Sequence, residues 1–359
     1  AINLAGALVL ASRRRPSVIG LPVLDHAPRA RVALLFPIYH EDPVRIAGTI
    51  EALAEDLAEW HLDRAFDIVV LSDSSAAAGR REAAVFGALA RKLAAAPSLY
   101  YRRRGINTAK KAGNIRDWIE RNGAAYESFV VLDADSIMSA DLLGRLALAI
   151  EGNPRLALVQ TAPALVDGRT RFQLLQEFAG GTYGDVGAAG IAALHGTDGN
   201  YWGHNAIVRT RAFASAAGLP ALPGRAPFGG HVRSHDFVEA SLLLRSGWQI
   251  AMVPCIAGSY EGSPPDLVAY AGRDRRWAHG NLQHLAILAR RGLTAMGRLH
   301  LAMGAASYLG SLAWAATLVC GLAIGLEGTQ GLPSYFGTER QLFPSWPLID
   351  PDAALDLLG

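Results

Sequence analysis

The sequence has few cysteines and few charged residues. Only two of its 359 residues are cysteines, Cys255 and Cys320, which excludes a disulfide scaffold and a zinc site built from cysteines. Charged residues make up 18% of the chain and hydrophobic residues 51%, whereas soluble domains average roughly 25% charged residues. This composition favours a protein that contacts a membrane.

Two motifs of nucleotide-binding proteins are also absent. The chain contains no GxxxxGK[ST] loop, and no GxGxxG follows its first predicted strand. A P-loop phosphate site is therefore excluded, and a dinucleotide-binding fold is disfavoured. No basic cluster with interleaved aromatic residues occurs, so we expect no nucleic acid partner. The short arginine runs at 13–15 and 102–104 are interpreted as a membrane-proximal charge and a solvated strand end.

Acidic and basic side chains are missing from one long run, residues 301–326. A helix over these 26 residues would be about 39 Å long, enough to cross a hydrocarbon core of about 30 Å. We therefore predict a transmembrane helix here. The alternative is a buried core helix, which a run of this length without a polar face disfavours.

Charges flank this run asymmetrically. Arg290, Arg291 and Arg298 precede it, whereas residues 327–359 contain five acidic residues and one arginine. The positive-inside rule therefore predicts that residues 12–300 are cytoplasmic.

The two ends of the sequence predict further membrane segments. Residues 1–11 are apolar and precede an arginine run, so we expect the end of another transmembrane helix, with a cytoplasmic linker over 12–29. Residues 327–359 would form a periplasmic segment that leads to a missing span. We expect the chain to be part of a longer multi-spanning protein.

Short apolar runs alternate with helical patterns in the cytoplasmic region. Strands are predicted over 30–39, 66–74, 98–104, 128–136 and 156–163. Helices are predicted over 44–58, 80–96, 110–121 and 139–151. This alternation predicts an α/β fold, an open and mostly parallel sheet with helices on both faces.

Acidic residues follow three of the predicted strands. Glu41 follows the first strand, Asp73 the second, and Asp133 and Asp135 the fourth. Ligands bind at the carboxyl ends of the strands in such sheets. If strand geometry persists, two carboxylates spaced i, i+2 face the same way, and oxygen ligands of this kind suit Mg²⁺ or Mn²⁺. A metal that bridges a diphosphate without a glycine-rich loop indicates a nucleotide-sugar enzyme.

These motifs, in this order, resemble a known family. The segments are PIYHE, SDS, KAGN, DAD, YWGHNA, SHD and RW. Together they resemble a processive family 2 glycosyltransferase, which implies a GT-A fold over residues 30–281. More narrowly, SHDFVEA (234–240), RDRRWAHGN (273–281) and QLFPSWP (341–347) resemble the glucans biosynthesis glucosyltransferase H family, the inner-membrane synthase of osmoregulated periplasmic glucans.

The resemblance implies a role for individual residues. The nucleotide site would comprise Tyr39, Glu41, Asp73, Lys111, Gly113 and Asn114. Asp133 and Asp135 would hold the metal and the diphosphate. The diphosphate and acceptor site would comprise Arg273, Arg276, Trp277, His204 and Asn205.

Asp236 stands where the family has its catalytic base. The usual motif is Thr-Glu-Asp, and here it reads Ser234-His235-Asp236; likewise Arg273 replaces the Gln of Gln-x-x-Arg-Trp. Inverting transfer needs a carboxylate that deprotonates the acceptor hydroxyl, and a tryptophan can stack on a sugar ring. The alternative is that Asp236 only stabilises the start of a helix through the helix dipole.

Two segments are predicted to lie along the membrane surface. Residues 171–196 alternate small, apolar and polar side chains, and residues 282–300 place basic residues beside an apolar face. Both patterns are typical of interfacial amphipathic helices. They would hold the catalytic domain at the bilayer.

The resemblance therefore implies a metal-dependent, inverting glucosyltransferase of the bacterial inner membrane, multi-pass, with a cytoplasmic catalytic domain. It would use UDP-glucose to elongate a β-1,2-glucan backbone, with membrane lipids and other periplasmic glucan-biosynthesis proteins as further partners. Alternatives are another processive family 2 synthase of cellulose or hyaluronan type, a lipid-linked sugar transferase, and a non-enzymatic nucleotide-sugar sensor subunit.

Overall fold

The computed structural model describes residues 2–12, 17–93 and 97–327. The first arginine run, the last three residues of the helix predicted over 80–96, and residues 328–359 with the QLFPSWP segment lie outside the described residues. The chain divides into two compact units, Ala1–Ala306 and Ser307–Gly359. All candidate site residues belong to the first unit.

Seven strands form one large sheet, in the order β11-β6-β8-β4-β1-β2-β3. Its strands are β1 (Val32–Ile38), β2 (Phe66–Ser72), β3 (Ser98–Arg103), β4 (Ser128–Val131), β6 (Leu156–Thr161), β8 (Ala206–Arg209) and β11 (Gln249–Val253). Only β8 runs antiparallel to its neighbours β4 and β6. The predicted open, mostly parallel sheet is confirmed.

Two small sheets stand apart from the large one. The first pairs β5 (Ser136–Met138), β12 (Ser259–Glu261) and β7 (Ala164–Leu165), with β12 in the middle. The second pairs β9 (Ala221–Leu222) with β10 (Gly230–His231).

Eleven α-helices occur among the described residues. They are α1 (Ile2–Ala11), α2 (Pro43–Glu59), α3 (Ala76–Leu93), α4 (Lys110–Asn122), α5 (Ala140–Gly152), α6 (Arg171–Ala179), α7 (Asp185–His195), α8 (Thr210–Ala216), α9 (His235–Arg245), α10 (Leu267–Leu288) and α11 (Ala295–Glu327). The four helices predicted around the first strands match α2 to α5 within a few residues, apart from the earlier start of α3.

Both faces of the large sheet are covered, which explains the unbroken apolar runs of its strands. Leu34 and Leu35 are neighbours on β1 and both are fully buried. Leu34 joins a cluster with residues of α2, α3 and α5, whereas Leu35 joins a cluster with residues of α4, α8 and α9. The alternation of side chains along a strand therefore builds two cores.

The strand that precedes the acidic pair is shorter than predicted. β4 ends at Val131, and a turn closed by the bond from Ser136 N to Asp133 O (2.9 Å) separates it from β5. Asp133 and Asp135 therefore lie in a turn. The condition of the earlier expectation, that strand geometry persists through Asp135, is therefore not met.

One predicted interfacial helix is not continuous. Residues 282–300 comprise the end of α10, a break at residues 289–294, and the start of α11. Gly292 has a φ of +88° within this break, a backbone conformation that ends helices. By contrast, residues 171–195 form one helical segment, in which a π-helical turn, Gly180–Gly184, joins α6 to α7.

Among the described residues, one helix is long and apolar enough to cross a membrane, over Ala295–Leu326. It contains the run predicted to span. The shorter apolar helix α1 crosses α7 closely: a Cβ at Gly6 would lie 1.8 Å from Val186 O, and one at Gly190 would lie 2.2 Å from Ile2 O. Glycine is needed at both positions, as at close helix crossings in membranes.

Candidate active site

The carboxyl ends of β1, β2 and β4 open into one crevice that the starts of α4 and α9 also border. Lys111, from α4, reaches across it. Its Nζ lies 2.5 Å from Asp133 Oδ1 and 2.8 Å from Gly203 O. The lysine thus joins the turn after β4 to the loop before β8.

Local backbone geometry brings Lys111 to this position. Ala109 and Lys110 both have a φ of +54°, an uncommon conformation for residues with a side chain. One turn later, a Cβ at Gly113 would lie only 2.0 Å from Thr108 O. Gly113 therefore allows the tight start of α4, and its place in the nucleotide site stays a prediction.

Asp236 lies on the other side of Gly203. A Cβ at Gly203 would be 3.5 Å from Asp236 Oδ2, and Gly203 has a φ of +90°. The buried Tyr201, two residues earlier, is near enough to Asp133 and Asp236 that both raise the pKa of its hydroxyl, after the larger effect of its burial. The structure therefore brings the acidic pair and Asp236 into the same crevice.

Asp133 and Asp135 differ in the charged groups that surround them. Burial, the largest effect, opposes ionisation of Asp133, but the charge and hydrogen bond of Lys111, with the charges of His204 and His235, together lower the pKa of Asp133. Burial and the neighbouring Asp133 carboxylate raise the pKa of Asp135. Asp135 thus lacks the cation that neutralises Asp133, and a bound cation would relieve this repulsion.

The donor atoms fit a divalent metal held partly by substrate. Among residues 2–12, 17–93 and 97–327, no three His, Cys, Asp or Glu side chains converge on one metal position. Two carboxylates remain, Asp133 and Asp135, and hard oxygen donors of this kind suit Mg²⁺ or Mn²⁺ when phosphates supply further ligands. The pair therefore fits such an ion only together with a diphosphate.

Asp73 is held by an arginine that the sequence analysis interpreted differently. Arg104 Nε and Nη2 lie 2.6 Å and 2.7 Å from the two Asp73 oxygens, and the side chains are 11% and 5% exposed. Arg104 also donates to the carbonyls of Thr108 and Lys110. Arg102 likewise binds Asp117 and Asn114. Within the run at 102–104, only Arg103 is therefore exposed as a solvated strand end would be.

Tyr39 and Glu41 form an open edge of the crevice. Tyr39 is 55% exposed, and its backbone N–H donates to the Glu41 carboxylate. Lys110 Nζ lies 5.9 Å from the centre of the Tyr39 ring. The ring is free to contact a planar ligand.

Two predicted site residues are buried and already hydrogen bonded. Asn114 donates to Leu71 O (3.0 Å) and accepts from Arg102. Asn205 donates to Ser259 Oγ (3.0 Å) and Tyr260 O (3.1 Å). Asn114 ties α4 to β2, and Asn205 ties the loop before β8 to β12. Their roles on the donor side and in the acceptor channel stay predictions.

Glu261 belongs to the site, although the sequence analysis missed it. Its carboxylate lies 3.2 Å from His204 Nε2. Burial raises the pKa of Glu261, His204 opposes this rise, and Asp135 and Asp133 add to it. The rule that found Asp73 does not extend to Glu261, because β12 belongs to a small sheet and was not among the predicted strands.

The basic and aromatic residues of α10 divide into two groups. Arg273 lies over the rings of Tyr270 (5.5 Å) and Trp277 (4.6 Å), and it lowers the pKa values of Asp135 and Glu261 against their burial. Trp277 is 48% exposed beside it. Arg276 is exposed and has no ion pair among the described residues, so Arg273 is the arginine closer to the acids.

His235, next to Asp236, forms a buried pair with Glu239, and 3.0 Å separates His235 Nδ1 from Glu239 Oε2. Burial, the largest effect, would lower the pKa of His235, but the charge and hydrogen bond of Glu239 and the charge of Asp236 together raise that pKa. His235, which replaces the usual glutamate of the motif, is therefore paired with the carboxylate of Glu239.

Known proteins resemble the chain over nearly its whole length. The family described as glycosyl transferase family group 2 matches residues 128–327. Glucans biosynthesis glucosyltransferase H of Bradyrhizobium diazoefficiens is 48% identical over 353 residues, which cover 97% of this chain and 47% of that protein. The chain belongs to the glucans biosynthesis glucosyltransferase H family.

Other members of the glucosyltransferase H family match similarly. The protein of Xylella fastidiosa is 49% identical over 82% of this chain and 47% of its own length. The protein of Rhodopseudomonas palustris strain BisA53 is 48% identical over 89% of this chain and 45% of its own length. The chain thus spans about half the length of the curated relatives it matches.

A solved structure shares the fold of this glucosyltransferase H family chain. It is the mannosyltransferase of Pyrobaculum calidifontis in complex with GDP-mannose and Mn²⁺, with a TM-score of 0.52, 18% identity, and coverage of 91% of this chain and 92% of that one. The GT-A fold expected from the motifs is confirmed.

Proposed function

We propose that this chain is the catalytic region of a membrane-embedded, inverting glucosyltransferase. It would transfer glucose from UDP-glucose to the end of a growing β-1,2-glucan, the backbone of osmoregulated periplasmic glucans. Family membership supports the reaction class and the product. Donor, linkage and inversion belong to the proposal.

The donor would bind across the ends of β1, β2 and β4. Tyr39 and the carboxylates of Glu41 and Asp73 would contact the base and ribose. Asp133 and Asp135 would hold Mg²⁺ or Mn²⁺, which would stabilise the negative charge of the leaving diphosphate. Lys111 would move from Asp133 toward the diphosphate when the cation takes its place.

The acceptor would approach from the side of α9 and α10. Asp236 would accept the proton of the attacking hydroxyl. Trp277 would stack on a pyranose ring, and Arg273 would offer its guanidinium to the departing diphosphate. The exposed Arg276 and the His204–Glu261 pair would border the acceptor path.

One observation carries this proposal: the position of Gly203 between two charged groups. Lys111, which pairs with Asp133, binds its carbonyl, and Asp236 lies against its Cα. A sugar bound beside Gly203 would have a carboxylate on one side and the cation-binding pair on the other. In-line displacement with inversion needs this arrangement.

We also propose a membrane arrangement for the chain. Residues 1–11 would end one span, 12–29 would link it to a cytoplasmic domain over 30–281, and 301–326 would form a second span. Of residues 282–300, those in α10 would belong to the domain, and those in α11 would lead into the second span. Residues 171–195 would lie at the inner membrane surface, because Leu174, Leu175 and Phe178 of α6 are exposed.

The proposal is tested with membranes that contain the full-length protein. They are incubated with UDP-glucose, UDP-N-acetylglucosamine or UDP-galactose, plus Mg²⁺ or Mn²⁺, and the linkage of the product is determined. We expect β-1,2-glucan from UDP-glucose alone, and no product after chelation of the metal. Incorporation from UDP-N-acetylglucosamine, a β-1,4 product, or transfer to a lipid would identify one of the alternative enzymes. UDP-glucose binding without any transfer would indicate the sensor.

A further inference from the structure

The loop that leads to Asp236 has little support from the large sheet. This base loop, residues 229–236, contains β10, which pairs only with the two-residue strand β9 among the described strands. Gly229 and Gly230 begin it, and Gly230 has a φ of +91°. Its position must therefore come from other contacts.

Gln283 of α10 supplies three of those contacts. Its side chain is fully buried. Nε2 donates to Gly229 O (3.0 Å) and His231 O (3.1 Å), and Oε1 accepts from Arg233 N (2.9 Å). Both amide hydrogens and the amide oxygen are thus committed to the base loop.

His284, the next residue, holds the end of the same loop. Its Nε2 lies 3.2 Å from Ser234 O, and because a carbonyl only accepts, Nε2 carries the proton. The ring also stacks on Phe237, with the centroids 5.6 Å apart. Ser234 in turn donates from Oγ to Asp236 Oδ1 (3.3 Å).

The backbone of α10 itself lies against Ser234 of the base loop. A Cβ at Gly280 would be 2.4 Å from Ser234 N, so α10 and the base loop approach as closely as two backbones can. Trp277 precedes His284 by seven residues on this helix, an axial distance of about 10 Å. One rigid helix therefore fixes both the exposed ring and the loop that carries the carboxylate.

We propose that Gln283 and His284 are positioning residues for Asp236. They fix the base relative to Trp277, the residue expected to stack on the acceptor sugar, so that the attacking hydroxyl meets the carboxylate. The proposal rests on the function proposed above, because it takes Asp236 as the base.

The hydrogen bond and the ring of His284 can be separated by substitution. His284→Phe keeps the ring that stacks on Phe237 and removes the donor to Ser234. His284→Gln places an amide N–H near the position of Nε2 and removes the ring. Leu285→Ala alters the next, partly exposed residue of α10 and serves as the control.

The test measures kcat and KM for UDP-glucose, and the binding of UDP with Mn²⁺, in membranes with each full-length variant. We expect kcat to fall about 10- to 100-fold in His284→Phe, since displacements near 1 Å can have effects of this size, with UDP binding within twofold of wild type. His284→Gln should recover most of kcat, and Leu285→Ala should match wild type.

Three results would overturn the proposal: wild-type kcat in His284→Phe, an equal loss in the Gln and Phe variants, or a parallel loss of UDP binding. If His284→Phe does not accumulate in membranes, Gln283→Met makes the same test, with the same expected loss of kcat alone. If the wild-type protein itself transfers no glucose in this assay, that result would instead contradict the proposed function.

Discussion

The two halves of the candidate site are held in place by different interactions. The donor half comprises residues 37–41, 72–74, 104–114 and 133–135, and the acceptor half comprises residues 201–205, 229–239 and 259–277. Charged side chains connect the donor half, through Arg104 with Asp73 and Lys111 with Asp133.

In the acceptor half, neutral amide side chains hold the loop before β8 and the base loop, beside the pairs His204–Glu261 and His235–Glu239. Gln160 donates to His204 O (3.0 Å) and accepts from Trp202 N (2.8 Å), much as Gln283 holds the base loop. The difference suits the two tasks. A diphosphate and a cation need fixed charge around them, whereas a base needs a fixed position and an uncompensated carboxylate.

The largest expected effect comes from Asp236→Asn, in the acceptor half. The amide cannot accept a proton, so kcat should fall about 10³-fold, within the range of general-base contributions. UDP affinity should stay unchanged because the donor half keeps its charges. Initial rates and UDP binding in membranes measure both quantities, with Asp141→Asn on α5 as the control. A wild-type rate, or loss of UDP binding together with activity, would contradict the assignment of Asp236 to the acceptor half alone.

We expect Arg104→Gln to disturb the donor half and to lower the stability of the protein. It leaves the Asp73 carboxylate, 5% exposed, without its cation, and breaking a buried pair costs about 3–5 kcal/mol. We expect a lower thermal midpoint and weaker UDP binding. Arg116→Gln breaks an exposed pair with Glu120 and should change the midpoint little. Equal midpoints for the two variants would show that Arg104 does not support the site.

The contrast between the halves also explains what could be predicted from the sequence. Acids at the ends of parallel strands are visible as single letters after apolar runs, and the sheet brings them together. Asp73, Asp133 and Asp135 were found in this way. Glu261 was missed because it lies on β12, a three-residue strand of a small sheet that no apolar run in the sequence indicates. After Val131 a turn replaces the predicted strand. This turn, and not strand geometry, brings Asp133 and Asp135 close together.

The acceptor half follows no such rule. Asn205 resembles a site residue in the motifs, yet its amide binds Tyr260 O, and nothing in the sequence distinguishes an amide that holds a loop from one that holds a sugar. The amide of Asn114, in the donor half, likewise binds Leu71 O. The roles of Gln160 and Gln283 depend on which carbonyls the fold places beside them. The break within 282–300 was missed for a similar reason, since the amphipathic pattern continues across Gly292.

Asp133→Asn tests whether the donor half depends on charge or on shape. The amide keeps the side-chain volume and loses a metal ligand together with the partner of Lys111. Binding of UDP with Mn²⁺ should weaken about 100-fold, as losses at metal sites commonly do, or about 2.7 kcal/mol. UDP titrations with and without Mn²⁺ in membranes measure this. Metal-dependent binding as tight as wild type would show that the pair does not hold the cation.

The smallest expected effect concerns the ionic contact between His235 and Glu239. The folded-state pKa of His235 lies above its ordinary 6.5, so this pair contributes its full stability below about pH 6.5 and loses it as the pH rises through the folded-state pKa. Asp236 strengthens the shift and Lys111 opposes it.

Glu239→Gln should therefore lower the thermal midpoint more at pH 6 than at pH 9, with a loss at pH 6 of about 1.5 kcal/mol, typical of a hydrogen bond to a charged group. Midpoints across this pH range measure the difference. Equal losses at pH 6 and pH 9 would mean that the imidazole stays neutral, and the acceptor half would then be held by neutral contacts beside the base as well. The expected decrease would instead identify an ionic contact in that half, directly behind Asp236.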